Sequence, residues 1–244
     1  MKANRRLNMK QEFPDKIKAV ILDMDGVLVD TEPVHLESFK VLLKDLQLNY
    51  DDSFLNTLVG HSVESNMTMI FQKIGKAVPE IINAELTRRE SIYLDLLRTN
   101  DLHPLPGIPA LVAICKKNKV ALALATSSIR DQVDTILEKL SGDSDGSLLN
   151  LKENFKVIVS GDQVKHKKPA ADIYLQAVHE LKLRPEQCAA VEDSPVGVKS
   201  AKMAGVYCIA LSNRYWNKDQ LLEAQADWIV DSIMEIVSAL TSKK

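Results

Sequence analysis

Strand-forming runs are unevenly spaced along this chain, and that spacing restricts its fold more than any other feature. One apolar run, Ile17 to Leu22, has the length and composition of a buried strand. No second strand pattern appears until Val120 to Ala125, and helical periodicity fills most of the interval. A single strand has no partner for its backbone groups and cannot stand alone. It must therefore pair with strands that follow far downstream, so the core is discontinuous and a helical segment is inserted within it.

The inserted segment reads as four helices. Glu32 to Leu48 carries Leu36, Phe39, Leu42, Leu43 and Leu46 at three- and four-residue spacing, and Ser53 to Leu58, Ser62 to Ile74 and Pro79 to Arg98 follow. His103-Pro104-Leu105-Pro106-Gly107 then breaks the chain. Beyond it helices and strands alternate. Helices are expected at Ile108–Asn118, Ile129–Leu140, Ala171–Leu183, Pro195–Ala204 and Ser232–Leu240, and strands at Val120–Ala125, Lys156–Val159, Cys188–Val191, Val206–Leu211 and Trp228–Val230. Such alternation implies an α/β fold: a Rossmann-like parallel sheet with helices on both faces. The expected organisation is a flexible tail over residues 1–14, a core from 15–31 and 105–244, and an all-helical cap over 32–104. The cap leaves the core just after the first strand and should hang over that strand's end as a lid. Residues 141–154 are polar and rich in Gly and Ser, and read as a long surface loop.

Composition narrows the class. The chain has 244 residues, 45% of them apolar, which suffices for a large core with a smaller second unit. Aromatic residues make up only 5%, so the core must be aliphatic. A formal net charge of −2 gives no electrostatic reason to expect nucleic acid or an anionic membrane as partner. Met1 to Glu12 is polar and basic without a secretory apolar stretch, and Met9 offers an alternative start. Cys115, Cys188 and Cys208 lie in apolar segments without metal-like spacing, which suggests buried, reduced thiols in a cytoplasmic protein.

The strand ends carry the chemistry. The first strand runs into Asp23-Met24-Asp25-Gly26. Carboxylates two residues apart in extended chain point the same way, and Gly26 permits a sharp turn close to a ligand. The second strand ends in Thr126-Ser127-Ser128 before a helix, where backbone N–H groups and hydroxyls suit an anion or an ordinary helix cap. After the third strand comes Lys165-His166-Lys167-Lys168-Pro169. Pro169 is placed to open the next helix and to fix Lys168, a point charge able to neutralise phosphate. Lys165 and Lys167 read as surface charges. The fourth strand ends in Glu192-Asp193-Ser194-Pro195, which either caps a helix or supplies further oxygen ligands for Mg²⁺. In one parallel sheet all four ends converge on one crevice.

The ordered motifs DMDGV, ATSS, KKPAADIY and VEDSPVGVKSA resemble those of the haloacid dehalogenase-like hydrolase superfamily, in the branch of beta-phosphoglucomutase and small-metabolite phosphatases. The resemblance spans about Lys16 to the final helix. It implies that Asp23 is the nucleophile and that Asp25 is the general acid and base. It makes Thr126 and the Ser127 N–H ligands of the phosphoryl oxygens, and Lys168 the neutralising cation. It gives Mg²⁺ to Asp23, Asp193 and Glu192, with the backbone carbonyl of Asp25. Asp25 favours phosphate esters over halide substrates, because a departing alkoxide needs a proton and a halide does not. His35 resembles a cap-proximal histidine of beta-phosphoglucomutase, although a structural role is the default for a lone histidine on a helix. The mutase pattern has an arginine in the turn Gly60-His61-Ser62-Val63, where this chain has Val63. His61, Lys73, Lys76, Arg88 or Arg89 could compensate, although exposed helix charges are the default reading. The expected function is Mg²⁺-dependent hydrolysis of a small sugar or polyol phosphate. A phosphomutase is the alternative, and a non-catalytic binding protein is the third reading.

Overall fold

The strand that opens the chain, β1 (Ala19–Leu22), lies at the centre of a parallel sheet. The computed structural model describes residues 13–59, 62–75, 79–141 and 151–242, and six strands occur among them. On one side β1 pairs with β2 (Ala121–Ala125), which pairs with β3 (Phe155–Val159). On the other side it pairs with β4 (Cys188–Glu192), followed by β5 (Tyr207–Leu211) and β6 (Trp228–Val230). Leu22 stands level with Leu124 on one neighbour and Val191 on the other. That register aligns the C-terminal ends of three strands.

Between β1 and Gly107 the chain forms α1 (Glu32–Asp45), α2 (Asp52–Asn56), α3 (Val63–Lys73) and α4 (Pro79–Thr99), with no strand among the described residues. Local chemistry starts two of them: the Asp51 carboxylate accepts from Phe54 N, and the Ser62 hydroxyl accepts from Ser65 N. Phe39, Leu42, Leu43, Leu55, Leu58, Met67, Ile70 and Phe71 form a cluster of their own. Tyr93 and Leu97 of α4 instead join the cluster beneath the sheet.

The remaining helices cover both faces: α5 (Ile108–Lys117), α6 (Arg130–Ser141), α7 (Leu151–Asn154), α8 (Asp172–Leu181), α9 (Pro195–Met203), α10 (Lys218–Glu223) and α11 (Ile233–Thr241). Alternation along the strands divides the core. Val20, Leu22, Leu122, Leu124 and Val191 pack with α5, α6 and α11. Ala19, Ile21, Ala123, Ala125 and Ala190 pack with α8 and α9. The alanine-rich face lets helices approach closely, and the leucine-rich face supplies volume. Val20, Ile21 and Leu22 are wholly buried, each worth about 1.5–3 kcal/mol relative to exposure.

Three expectations need correction, and one helix was not foreseen. Phe13 is buried in the core cluster, so the tail cannot reach residue 14; residues 1–12, with Met9, lie outside the described residues. Ser141 ends α6 and Leu151–Asn154 forms α7 with Leu151 buried, so the ends of the 141–154 segment are helical; residues 142–150 lie outside the description. Pro169 does not open a helix: α8 begins at Asp172, and the Lys168–Pro169 bond is cis. Finally, α10 was not anticipated, because its six residues carry too short a period to read.

Candidate active site

The ends of β1, β2 and β4, together with the loop after β3, bring acids, hydroxyls and one lysine together. Asp23 extends β1 by one residue, its N–H donating to Val191 O at 3.0 Å. This bond holds Asp23 beside Glu192 and Asp193 at the end of β4. The chain then turns tightly: Met24 O accepts from Leu28 N, and Gly26 N donates to Val29 O. Gly26 has φ +77°, a left-handed conformation that favours glycine, and a side chain there would collide with the Asp193 carboxylate.

Asp23, Glu192 and Asp193 are buried, and each presents a carboxylate oxygen within 4.8 Å of the others. Lys168 is threaded among them. Its Nζ donates to Asp23 Oδ1 at 2.9 Å, to Glu192 Oε1 at 2.6 Å and to Ala125 O at 3.1 Å. Tyr174 of α8 donates its hydroxyl to the same Glu192 oxygen at 2.6 Å. Gly197 leaves room for that carboxylate, since a Cβ there would overlap it.

Electrostatics follow from this crowding. Burial, reinforced by the charge of Glu192 and opposed by Lys168, pushes Asp23 up to about 7. Burial, with Asp23 and Glu192, raises Asp193 well above the usual carboxylate range. Burial works against the charge of Lys168, but Asp23 and Glu192 outweigh it and raise its pKa above the ordinary lysine value. One lysine therefore faces three buried acids. A hard, all-oxygen donor set with excess negative charge suits a small dication such as Mg²⁺.

Asp25 occupies a different environment from Asp23. Its Oδ1 accepts from Thr31 Oγ1 at 2.5 Å. Its Oδ2 accepts from Ser128 Oγ at 2.8 Å and Thr126 Oγ1 at 3.3 Å. Thr126 is fully buried and also accepts from Ser128 N, whereas Ser127 and Ser128 line the cleft. The sequence does not single out Thr31, and it marks Ser128 only as an anion ligand or helix cap, not as a partner of Asp25. Their signal was only that each lies within a few residues of a motif acid or hydroxyl.

Asp193 is oriented by a residue the sequence reading missed. Asn213, just past β5, donates from Nδ2 to Asp193 Oδ2 at 2.9 Å. Its own Oδ1 accepts from Tyr215 N and Trp216 N, which fixes the amide orientation. A polar residue at a strand end was the available cue. The Ser194 hydroxyl accepts from Gly197 N and so caps α9, leaving Asp193 free to face the cleft.

These groups line a cleft of about 530 Å³ whose other walls come from α1, α3, α4 and α6. His35 of α1 lines it, stacked on Tyr93 with ring centroids 4.1 Å apart. Its Nδ1 lies 2.5 Å from Arg89 Nη2. A guanidinium can only donate, so Nδ1 accepts and Nε2 carries the proton. Burial and the Arg89 charge lower the His35 pKa well below its usual value, so the ring is neutral at pH 7. Arg89 is fully buried between Phe39 and Tyr93, correcting the expectation of an exposed charge. It also donates to Glu90, which accepts from Gln132 of α6 and so links α4 to α6. Arg88 is exposed as expected, and Lys73 lies over the Phe54 ring. His61 and Lys76 lie outside the described residues.

Comparisons with known proteins agree with this geometry. The family model for haloacid dehalogenase-like hydrolases matches residues 20–211. A phosphorylated carbohydrates phosphatase of Thermotoga maritima is 31% identical over 78% of this chain and 82% of its own length. Beta-phosphoglucomutase of Bacillus subtilis is 30% identical over 80% of this chain and 83% of its own. The crystal structure of CbbY from Rhodobacter sphaeroides in complex with xylulose-(1,5)bisphosphate superposes with a TM-score of 0.75 at 28% identity, covering 92% of this chain and 99% of that one. With acids and lysine gathered at the strand ends and the family model covering most of its length, the chain belongs to the haloacid dehalogenase-like hydrolases.

Proposed function

We propose that this protein is a Mg²⁺-dependent phosphatase acting on a small sugar or polyol phosphate through an aspartyl-phosphate on Asp23. The observation that carries this reading is the convergence of Asp23, Glu192, Asp193 and Lys168, with Asp25 held apart by three hydroxyls. A phosphatase of this kind needs two acids with different tasks, and the two aspartates have different environments. In the first step an Asp23 oxygen attacks phosphorus, the ester P–O bond breaks, and protonated Asp25 gives its proton to the departing alkoxide. In the second step Asp25 takes a proton from water, which attacks the acyl phosphate and restores Asp23. Lys168 neutralises charge on the transferring group and on Asp23. Thr126 and the Ser127 N–H are assigned to the phosphoryl oxygens, and Ser127 and Ser128 line the cleft where those oxygens would lie. Asp23, Asp193, Glu192 and the Asp25 carbonyl would hold Mg²⁺, which when bound supplies further charge neutralisation at phosphate.

In this reading α1–α4 act as a cap that encloses the alcohol portion of the substrate. The buried, unpaired thiols of Cys115, Cys188 and Cys208 support a reducing, cytoplasmic setting. The beta-phosphoglucomutase relative supports a second reading, phosphomutase.

The test is phosphate release from a panel of sugar and polyol phosphates with Mg²⁺ present. Asp23→Asn should lower turnover by at least ~10³-fold, because the covalent step is lost. EDTA should stop the wild type and added Mg²⁺ restore it. Phosphate release that survives either treatment refutes the mechanism. Isomerised sugar phosphate without net phosphate release would favour the mutase.

A further inference from the structure

The wall of the cleft facing the strand ends has the opposite chemistry to the phosphate side. Helices α3 and α4 line it with Glu64, Asn66, Thr87 and Glu90. Asn66 is only 3% exposed; its Nδ2 donates to Leu58 O at 2.8 Å, and its Oδ1 has no partner among the described residues. A buried amide oxygen left in this way is satisfied by an incoming donor. Glu90 is fixed by Arg89 and Gln132, and as a carboxylate it can only accept further bonds.

Positive charge on this side is already committed. Among the described lining residues the lysines are Lys167 and Lys168. Lys168 is bound to Asp23 and Glu192, and Lys167 pairs with Glu64 at 3.3 Å. Arg89 is fully buried behind His35 and does not line the cleft. His35 accepts from Arg89 on Nδ1, which leaves one neutral N–H donor.

A phosphate dianion brings only acceptors and negative charge. Placed against this wall it would meet the unpartnered Asn66 amide oxygen and two carboxylates already paired with Lys167 and Arg89, with no cation left over among the described lining residues to balance it. A hydroxyl brings a donor that all of them can use. We propose that the wall formed by Asn66, Glu64 and Glu90 selects phosphate monoesters of uncharged, hydroxyl-rich alcohols and rejects substrates with a second phosphate. The inference rests on the phosphatase reading and adds to it the number of phosphates the substrate carries.

The test uses matched pairs such as fructose 1-phosphate or 6-phosphate against fructose 1,6-bisphosphate. Each ester is measured as a substrate and as a competitor of p-nitrophenyl phosphate hydrolysis. Wild type should prefer the better monophosphate by about 100-fold in kcat/KM or inhibition constant, equivalent to ~2.7 kcal/mol. Thr87→Lys and Glu90→Gln should each raise the bisphosphate-to-monophosphate ratio about tenfold. Taking a ratio within each variant cancels losses of folded or active protein. Equal or better use of the bisphosphate by wild type overturns the proposal. So does a ratio that neither variant moves, or competition by the monophosphates no stronger than by inorganic phosphate. Failure to hydrolyse p-nitrophenyl phosphate at all would instead refute the phosphatase reading, and this proposal with it.

Discussion

Replacing Lys168 by Met removes the cation that holds the acidic cluster together. Met approximates the lysine stem in volume, so the cavity term is small and the loss is chiefly electrostatic. The lysine side chain is 6% exposed, and its partners Asp23 and Glu192 are 11% and 0% exposed. Solvent therefore cannot replace the missing charge. Breaking a buried pair by removing one partner costs about 3–5 kcal/mol. Each kcal/mol lowers the melting temperature of a chain this size by about 2–4 °C, so a drop on the order of 10 °C is expected. The assay is thermal and urea unfolding by circular dichroism in EDTA, with Glu192→Gln and the double variant alongside. Neutralising Glu192 removes part of the stranded charge. The double variant should thus be more stable than the sum of the singles predicts, by about 1–3 kcal/mol. A Lys168→Met protein within ~1 kcal/mol of wild type, or strict additivity in the cycle, would refute the picture of a lysine compensating buried acids.

Other consequences are as direct. Gly26→Ala forces a side chain into both a left-handed backbone position and the Asp193 carboxylate, so Mg²⁺-dependent phosphate release should collapse and stability should fall by at least ~1–2 kcal/mol. Wild-type activity in that variant would show that the turn is not tied to Asp193. Asn213→Leu removes the donor that orients Asp193 and should weaken Mg²⁺ binding about 10–100-fold by calorimetry, with the fold retained; unchanged affinity counts against this positioning role. Burial pushes the thiols of Cys115 and Cys188 up to about 12 and about 11, and raises Cys208 as well. At pH 8 all three should therefore stay protonated and resist a disulfide reagent until the protein is denatured, when three thiols should react. Rapid labelling of the native protein would contradict their burial.

Much of the architecture was legible because it is written in periodicity. Strands such as Ala121–Ala125 and Cys188–Glu192 are short apolar runs between helical patterns, and parallel pairing follows from that alternation. The acids and the lysine were legible because they stand at strand ends, where a parallel sheet collects them. Residues that act across the fold were not. Asn213 meets Asp193, Tyr174 meets Glu192, and Ser128 meets Asp25, through hydrogen bonds whose partners are distant in sequence. Arg89 looked like one more helix charge, because linear periodicity does not say which face of a helix is covered by another helix.

The amino-acid sequence alone determined the order of the longer elements, the parallel sheet and which acids, hydroxyls and lysine stand at the strand ends, since these depend on local spacing and residue type. Tertiary structure alone decided which donors orient each carboxylate, which charges are buried, and that acceptors line the wall opposite the lysine. Those properties depend on distance and solvent access between segments that local periodicity does not relate.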